Sequence, residues 1–279
     1  MNKVGIIGAG TMGREVAATF AGKKYEVILV DHSTAMLNDA KEAIKEILRF
    51  AQIFSKKAFC NNAANYISYT TDFNRLGDVD IIIENVTEKI EIKKEVYQLL
   101  SEICKPNTIF CVNTSCVPIT KIASFTKRES FVIGIHFMNP VTRIQAAEVI
   151  LGYHTSEKTL EAVKGILNQL EIESIVVGDF PGFVSNRISH LMMNEAAFIV
   201  QEGYAQVEDI DNIFKKCYGH KMGPLETADL IGIDVVVDSL QVLYESYQDP
   251  KFRVCPLLIK MADAGLKGKK TGKGFYVYE

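Results

Sequence analysis

The segment VGIIGAGTMGREVAATFAGKKYEVILVD (4–31) constrains the fold more than any other part of the chain. An apolar run typical of a β-strand leads into Gly8, Gly10 and Gly13, and a helical pattern follows. A second apolar run then ends at Asp31. This order predicts a βαβ unit in which the glycines permit a tight turn, the close approach of a pyrophosphate and close packing of helix on strand.

Asp31 favours a particular dinucleotide. A carboxylate at the end of the second strand accepts hydrogen bonds from ribose hydroxyls and repels a 2′-phosphate, so NAD is expected rather than NADP. The phosphates are expected at the N-terminus of the intervening helix. The alternative, a strand–helix turn with incidental glycines, fits the complete spacing less well. The predicted cofactor site comprises Gly8, Gly10, Thr11, Met12, Gly13 and Asp31.

Polar residues follow three further apolar runs that are predicted to be strands, DVDIIIENVTE, TIFCVNTSCVPIT and FVIGIHFMNP. In an open parallel sheet, ligands bind outside the carboxyl ends of the strands, so these residues are expected at the same crevice as the glycine turn. They are Glu88, Asn113, Ser115, His136 and Asn139. Between the βαβ unit and these strands, the apolar periodicity predicts a helix from Thr34 to about Asn65.

The composition of the chain changes after the strand ESIVVGD, where Pro181-Gly182 introduces a long amphipathic helix. We therefore expect an α/β fold with an N-terminal Rossmann-type doubly wound sheet, residues 1–181, and a C-terminal all-α domain, residues 182–279. The second domain is small and buries a limited core alone. A homodimer formed through this domain is expected.

Charge and cysteine usage exclude several classes of function. The formal net charge is -3 and no lysine–arginine block is long enough to form a basic face, so nucleic acid is not expected as a partner. The chain shows neither a secretory pattern nor an apolar run of about 18 residues, so no membrane association is expected. The six cysteines form no Cys-x-x-Cys pair, which favours a cytoplasmic protein with neither a disulfide framework nor a metal site.

His136 stands at the predicted end of a strand, where an imidazole can take up a proton from a substrate alcohol at neutral pH. Glu148 follows twelve residues later. An antiparallel or adjacent return after Asn139-Pro140 would bring its carboxylate beside the imidazole, where it would fix the tautomer. A purely structural histidine and an exposed glutamate are the alternatives that the residues alone leave open.

Several motifs occur in order along nearly the whole chain: NTS, GIHFMNP, AEVI, DFPGFVSNRI, MGPLETADLIGID and KKTGKGFYVY. In this respect the sequence resembles the 3-hydroxyacyl-CoA dehydrogenase family. The resemblance implies hydride transfer between C3 of a 3-hydroxyacyl thioester and NAD. It implies that His136 is the general acid/base and that Glu148 orients it.

The resemblance also assigns roles to three more residues. Ser115 and Asn186 match family positions that hydrogen-bond substrate and active-site groups around the reacting oxygen, and Glu88 matches a position near the nicotinamide. Each has a structural alternative: Ser115 as a turn residue, Asn186 as an amide on a helix surface, and Glu88 as a charge at a helix N-terminus. Asn113 is counted with Glu88 in the predicted cofactor site.

The chain departs from the family pattern beside the histidine motif. Thr142 and Arg143 stand where the family has an apolar stretch, and Met138 and Cys116 replace phenylalanine and serine. With Asn139, Arg143 is assigned to the substrate pocket, where it would favour a short, oxygenated acyl group; the alternative is that it points to solvent.

These departures leave the thioester and the substrate open. The group that carries the acyl thioester is expected to be CoA or an acyl carrier protein. One alternative is a glyceryl-carrier-protein dehydrogenase that makes an extender unit in polyketide or peptide antibiotic biosynthesis. Two others are a dehydrogenase of a free hydroxy or sugar acid, in which Arg143 would bind the carboxylate, and a non-catalytic NAD-binding protein.

Overall fold

A computed structural model describes residues 2–55 and 57–278. The chain divides into two compact units, one that ends at Phe180 and one that begins at Pro181. Among the helices of the described residues, none has the length and apolar character needed to cross a membrane.

Over the described residues, the first unit forms a single sheet of eight strands in the order β3-β2-β1-β4-β5-β6-β7-β8. Neighbouring strands run parallel except β6 and β7, which are antiparallel. The strands are β1 (Lys3–Ile7), β2 (Glu26–Val30), β3 (Ile67–Thr70), β4 (Ile81–Glu84), β5 (Ile109–Val112), β6 (Val132–Phe137), β7 (Ala146–Leu151) and β8 (Glu173–Gly178). The predicted doubly wound α/β class is confirmed.

The central strands β4 and β5 are nearly continuous apolar runs, which explains why they are buried in the middle of the sheet. The four residues of β4 and the four of β5 are all buried, so both faces of these strands are covered, as is typical of parallel sheets. The connections between strands carry the helices of the first unit: α1 (Thr11–Gly22), α2 (Thr34–Phe54), α3 (Ile90–Ile103), α4 (Ile119–Ala123) and α5 (Glu157–Gln169).

The helix α2 ends at Phe54, so the prediction that it continues to about Asn65 is wrong. Ser55 is extended, with φ -79° and ψ 144°, and its hydroxyl donates a hydrogen bond to the carbonyl oxygen of Thr142 at 2.7 Å. The Lys57 ammonium donates to the carbonyl oxygen of Val141 at 2.7 Å. These tertiary hydrogen bonds favour an extended chain over another helical turn. The short strand β3, which pairs with β2, was not predicted.

The second unit is helical over its described residues, and this part of the predicted fold class is confirmed. Its helices are α6 (Ser185–Gln201), α7 (Val207–Cys217), α8 (Pro224–Ile231), α9 (Ile233–Tyr247) and α10 (Pro256–Asp263). Their apolar faces form a core that includes Met193, Val236, Leu240 and Leu258, each with no exposed surface.

Asp229 holds the C-terminal segment against this core. The carboxylate has no exposed surface and accepts hydrogen bonds from the backbone N–H groups of Phe275 and Tyr276, at 3.0 and 2.9 Å, and from the Tyr278 hydroxyl at 3.0 Å. Burial and the neighbouring Asp229 carboxylate raise the pKa of Tyr278 above its usual value, so the phenol remains a donor.

Replacing Asp229 with alanine is expected to lower the free energy of unfolding by about 2–4 kcal/mol, because buried donors then lose a charged acceptor. Urea denaturation measures this change. The exposed Asp263 supplies the matched control, for which Asp263→Ala should change stability by less than about 0.5 kcal/mol. Equal effects of the two substitutions would show that Asp229 does not hold the segment.

Candidate active site

The glycine turn between β1 and α1 has the shape that a dinucleotide phosphate requires. Gly8 has φ +91°, and a Cβ atom there would lie 2.7 Å from the carbonyl oxygen of Asn85. A Cβ on Gly13 would lie 1.8 Å from the carbonyl oxygen of Gly8. At Gly10 a Cβ would meet nothing within 4 Å, so the turn is open on the side from which a ligand approaches. The N-terminus of α1 begins directly after Gly10, with Thr11 and Met12 as its first residues.

Asp31 follows β2 and is 8% exposed. Its Oδ2 accepts a hydrogen bond from the Ala9 N–H at 2.8 Å, and its Oδ1 accepts one from the Ser33 N–H at 2.9 Å. These bonds fix the carboxylate beside the glycine turn, while Oδ2 retains a second acceptor site. The turn and Asp31 therefore fit the adenosine half of NAD.

Asn113 joins the tips of three strands. Its Nδ2 donates to Asn85 Oδ1 at 2.7 Å, just after β4, and its Oδ1 accepts from the Phe137 N–H at 3.3 Å, at the end of β6. The residue itself follows β5. The structure thus places this predicted cofactor residue at the sheet edge, with its amide bridging β4 and β6.

Glu88 lies against the loop after β5. Its carboxylate accepts from the Thr114 hydroxyl at 2.7 and 2.9 Å and from the Ser115 N–H at 2.7 Å. The Lys93 ammonium, on α3, lies 3.7 Å from Glu88 Oε2. Glu88 therefore holds the backbone of Ser115 at the strand ends.

Beneath Glu88 lies a group of buried polar residues that the sequence did not predict. The Lys93 ammonium lies 2.9 Å from each Glu84 carboxylate oxygen, and the Tyr97 hydroxyl donates to Glu84 Oε2 at 3.2 Å. All three side chains have no exposed surface. Burial raises the pKa of the Glu84 carboxyl, and the Lys93 charge opposes the rise. The Lys93 ammonium thus lies close to the carboxylates of both Glu84 and Glu88.

His136 and Glu148 are direct cross-strand partners in the antiparallel pair β6 and β7. Their side chains therefore lie on the same face of the sheet, and His136 Nδ1 is 2.8 Å from Glu148 Oε2. The two residues are 7% and 5% exposed. Because a carboxylate only accepts hydrogen bonds, this contact places the proton on Nδ1.

Ser115 completes the row on the other side of the imidazole, where its Oγ is 3.4 Å from His136 Nε2. Serine, histidine and glutamate thus follow one another across the ends of β5, β6 and β7. The imidazole presents Nε2 to the hydroxyl side while Glu148 holds Nδ1. This arrangement can accept and return a proton at Nε2.

Asn139, Arg143 and Asn186 are the remaining predicted site residues. Asn139 and Arg143 are exposed on the turn between β6 and β7, and Arg143 borders a cavity of about 390 Å³ between this turn and α2. Asn186 belongs to the helical unit, as the second residue of α6, and its carbonyl oxygen accepts a hydrogen bond from His190 Nδ1 at 2.9 Å.

Three side chains anchor the turn between His136 and Glu148. Besides the Ser55 and Lys57 contacts, Glu15 Oε2 accepts from the Thr142 N–H at 3.1 Å and from its hydroxyl at 2.9 Å. Lys57 is 4% exposed, and burial lowers its pKa to about 8. The sequence does not predict Lys57 as a site residue, because a lysine after an amphipathic helix usually faces solvent.

The lowered pKa of Lys57 makes stability depend on pH in a defined direction. Between about pH 8 and the unfolded-state pKa of 10.5, the unfolded chain binds the Lys57 proton and the folded chain does not, so folding becomes more favourable as the pH rises. Relative to Lys57→Met, the wild type should gain stability across this window, by at most about 1.4 kcal/mol per pH unit. Urea denaturation at several pH values measures the gain.

The exposed Lys41 is the matched control for this experiment. The stability difference between the wild type and Lys41→Met should remain nearly constant with pH, because an exposed ammonium titrates alike in both states. If the stability difference between the wild type and Lys57→Met were also constant with pH, it would contradict the lowered pKa of Lys57.

Both units match family models. Residues 3–180 match the 3-hydroxyacyl-CoA dehydrogenase NAD binding domain, and residues 182–278 match the 3-hydroxyacyl-CoA dehydrogenase C-terminal domain. The first match accords with NAD as the cofactor.

Individual relatives span the full length of the chain. The 3-hydroxybutyryl-CoA dehydrogenase of Clostridioides difficile is 41% identical, over 99% of this chain and 99% of that protein. The enzyme of the same name from Bradyrhizobium diazoefficiens is 40% identical, over 100% of this chain and 96% of that protein. The crystal structure of (S)-3-hydroxybutyryl-CoA dehydrogenase from Ralstonia eutropha has a TM-score of 0.93 and 37% identity, and the alignment covers 100% of this chain and 99% of that one.

Proposed function

The chain belongs to the 3-hydroxyacyl-CoA dehydrogenase family, and from this we propose that it transfers hydride between C3 of a short 3-hydroxyacyl thioester and NAD. The observation that supports this most directly is the row Ser115, His136 and Glu148, whose contacts measure 3.4 and 2.8 Å. A protein that only binds NAD needs the glycine turn and Asp31 but no such row.

The glycine turn and Asp31 would hold NAD, which would supply the acceptor for the hydride from C3, and NADH would supply the donor in the reverse direction. In the oxidative direction, the 3-hydroxyl proton moves to His136 Nε2, leaving the 3-oxo thioester. Glu148 keeps Nδ1 protonated and stabilises the imidazolium that forms. Oxidation therefore starts from neutral His136, and reduction starts from the protonated form.

Ser115 and Glu88 position this reaction. The Ser115 hydroxyl, 3.4 Å from Nε2, is placed to hydrogen-bond the substrate oxygen alongside the imidazole. Glu88 holds the Ser115 N–H at 2.7 Å, so the loop that carries the hydroxyl is fixed before substrate arrives. We assign Glu88 a positioning role at the nicotinamide side of the cofactor site.

Consumption of NADH with acetoacetyl-CoA, followed by absorbance, tests the proposed reaction. We expect turnover with NADH and much less with NADPH, because the Asp31 carboxylate repels a 2′-phosphate. A chain that binds NADH tightly but turns over no 3-oxoacyl or 3-hydroxyacyl thioester would contradict the proposal. Oxidation of a free hydroxy acid in place of a thioester would show that the chain catalyses a different reaction.

Replacing His136 with glutamine tests the proton transfer. Turnover should fall by about 10²–10⁴-fold, because glutamine cannot carry the proton. The affinity for NADH, measured by fluorescence titration, should not change, since the glycine turn and Asp31 are intact. Glu148→Gln should lower turnover less, because an amide oxygen still accepts the Nδ1 proton in a hydrogen bond.

The exposed His154 provides the matched control, and His154→Gln should retain wild-type turnover. If NADH affinity fell together with turnover in His136→Gln, the substitution would be acting on the fold or the cofactor site rather than on proton transfer.

A further inference from the structure

The C-terminal half of α2 exposes an apolar face that we call the α2 patch, formed by Phe50, Ile53 and Phe54. These side chains are 49%, 64% and 61% exposed. Their spacing puts them on one side of the helix, and the Phe50 and Phe54 rings stack with their centroids 6.2 Å apart. The core-facing side of α2 is a separate set of buried residues: Leu37, Ala40, Ile44, Leu48 and Ala51. The α2 patch is therefore additional to the face that packs α2 on the sheet, and such exposed clusters are typical of binding surfaces.

Two arginines lie beside the α2 patch. The Arg49 guanidinium lies over the Phe50 ring, 5.3 Å from its centroid. Arg143 is exposed on the turn across the neighbouring cavity. The sequence from residue 47 to residue 71 contains no Asp or Glu. The carboxylate that borders the cavity, Glu15, is 8% exposed and accepts two hydrogen bonds from Thr142. The complementary surface is thus apolar with acidic surroundings.

The cavity of about 390 Å³ adjoins the α2 patch and follows the turn between β6 and β7. Phe50 and Phe54 form part of its wall on the α2 side, and Pro140, Thr142 and Arg143 form the wall on the side of the turn. This turn joins the strand of His136 to the strand of Glu148. A partner bound at the α2 patch would therefore lie next to the segment that carries the proton-transfer pair.

On the basis of the proposed function, we infer that the α2 patch docks an acidic carrier protein, which presents the acyl thioester on its phosphopantetheine arm, and that the adjoining cavity receives the arm. A protein surface can cover three large apolar side chains and pair with Arg49 and Arg143 at once. Aromatic and arginine side chains are enriched at the centres of protein interfaces. Free CoA offers phosphates and an adenosine instead of an apolar face of this size.

The experiment compares the same acyl group on two thioester carriers: acetoacetyl-CoA, and acetoacetyl loaded on an acidic type II acyl carrier protein. The test variants are Arg49→Glu and Ile53→Asp, because neither residue lines the cavity. With the carrier-protein substrate, kcat/KM should fall at least about tenfold in each variant, because a new carboxylate repels the acidic partner. With acetoacetyl-CoA, kcat/KM should stay within about twofold of wild type. Added salt should weaken wild-type activity on the carrier substrate more than on acetoacetyl-CoA.

Matched controls separate docking from general effects of charge. Lys41→Glu reverses an exposed charge nearer the start of α2, and Ile259→Asp places a carboxylate at an isoleucine that is 42% exposed on α10. Both controls should leave kcat/KM unchanged with either substrate. Light scattering on each variant reports whether the α2 patch instead joins two copies of this chain.

The outcomes separate the two proposals. Turnover of acetoacetyl-CoA with no activity on the carrier substrate, or with test variants that match the controls, would overturn docking and leave the proposed function intact. A change of oligomeric state in Ile53→Asp would also overturn docking, since the α2 patch would then be a contact between copies. Turnover of neither thioester by the wild type would overturn the proposed function and the docking inference together.

Discussion

His136 and Glu148 meet because β7 runs antiparallel to β6, which makes the two residues direct cross-strand partners. A shift of one residue in this register would turn Glu148 to the opposite face of the sheet. Close packing around Gly134 opposes such a shift. Gly134 is paired with Ile150, and a Cβ atom at position 134 would lie 2.9 Å from the Ile150 Cβ and 2.6 Å from the Ile119 Cδ1. The glycine therefore fixes the strand pair two residues from the imidazole.

The buried charges of Glu84 and Lys93 are better explained by positioning than by stability. A buried ion pair such as Glu84 and Lys93 contributes little net stability relative to apolar residues of the same volume, because removing both charges from water costs several kcal/mol. The ion pair does fix the positions of the two side chains. Lys93 also lies 3.7 Å from Glu88, whose carboxylate holds the Ser115 N–H at 2.7 Å. A loop that must present a hydroxyl to His136 is thereby supported from the interior of the first unit.

The sequence predicts the parts of this protein that depend on local pattern. The β–glycine turn–α–β order, the position of Asp31 and the fold class all follow from short-range periodicity and spacing. The pairing of His136 with Glu148 followed only as one of two strand arrangements, because strand direction depends on tertiary packing. The sequence pattern gave no sign of Lys93, since a lysine on an amphipathic helix normally faces water and its burial depends on Glu84.

The end of α2 illustrates the same limit. Helical periodicity continues past Phe54, but Ser55 and Lys57 form hydrogen bonds to a turn more than eighty positions away in the chain. Such contacts are invisible to any local pattern, and they decide where the helix stops.

The helix α1 contributes to the cofactor site and also contacts the turn between His136 and Glu148. The N-terminus of α1 follows the glycine turn, and one turn further along Glu15 holds the backbone N–H and the hydroxyl of Thr142. Thr142 lies on the turn between His136 and Glu148, which α2 holds from its other side through Ser55 and Lys57. Because α1 is rigid over this length, the position of the dinucleotide phosphates and the position of the catalytic hairpin are set together. A substitution that moves α1 should therefore disturb both sites, although no residue of α1 takes part in the proton transfer.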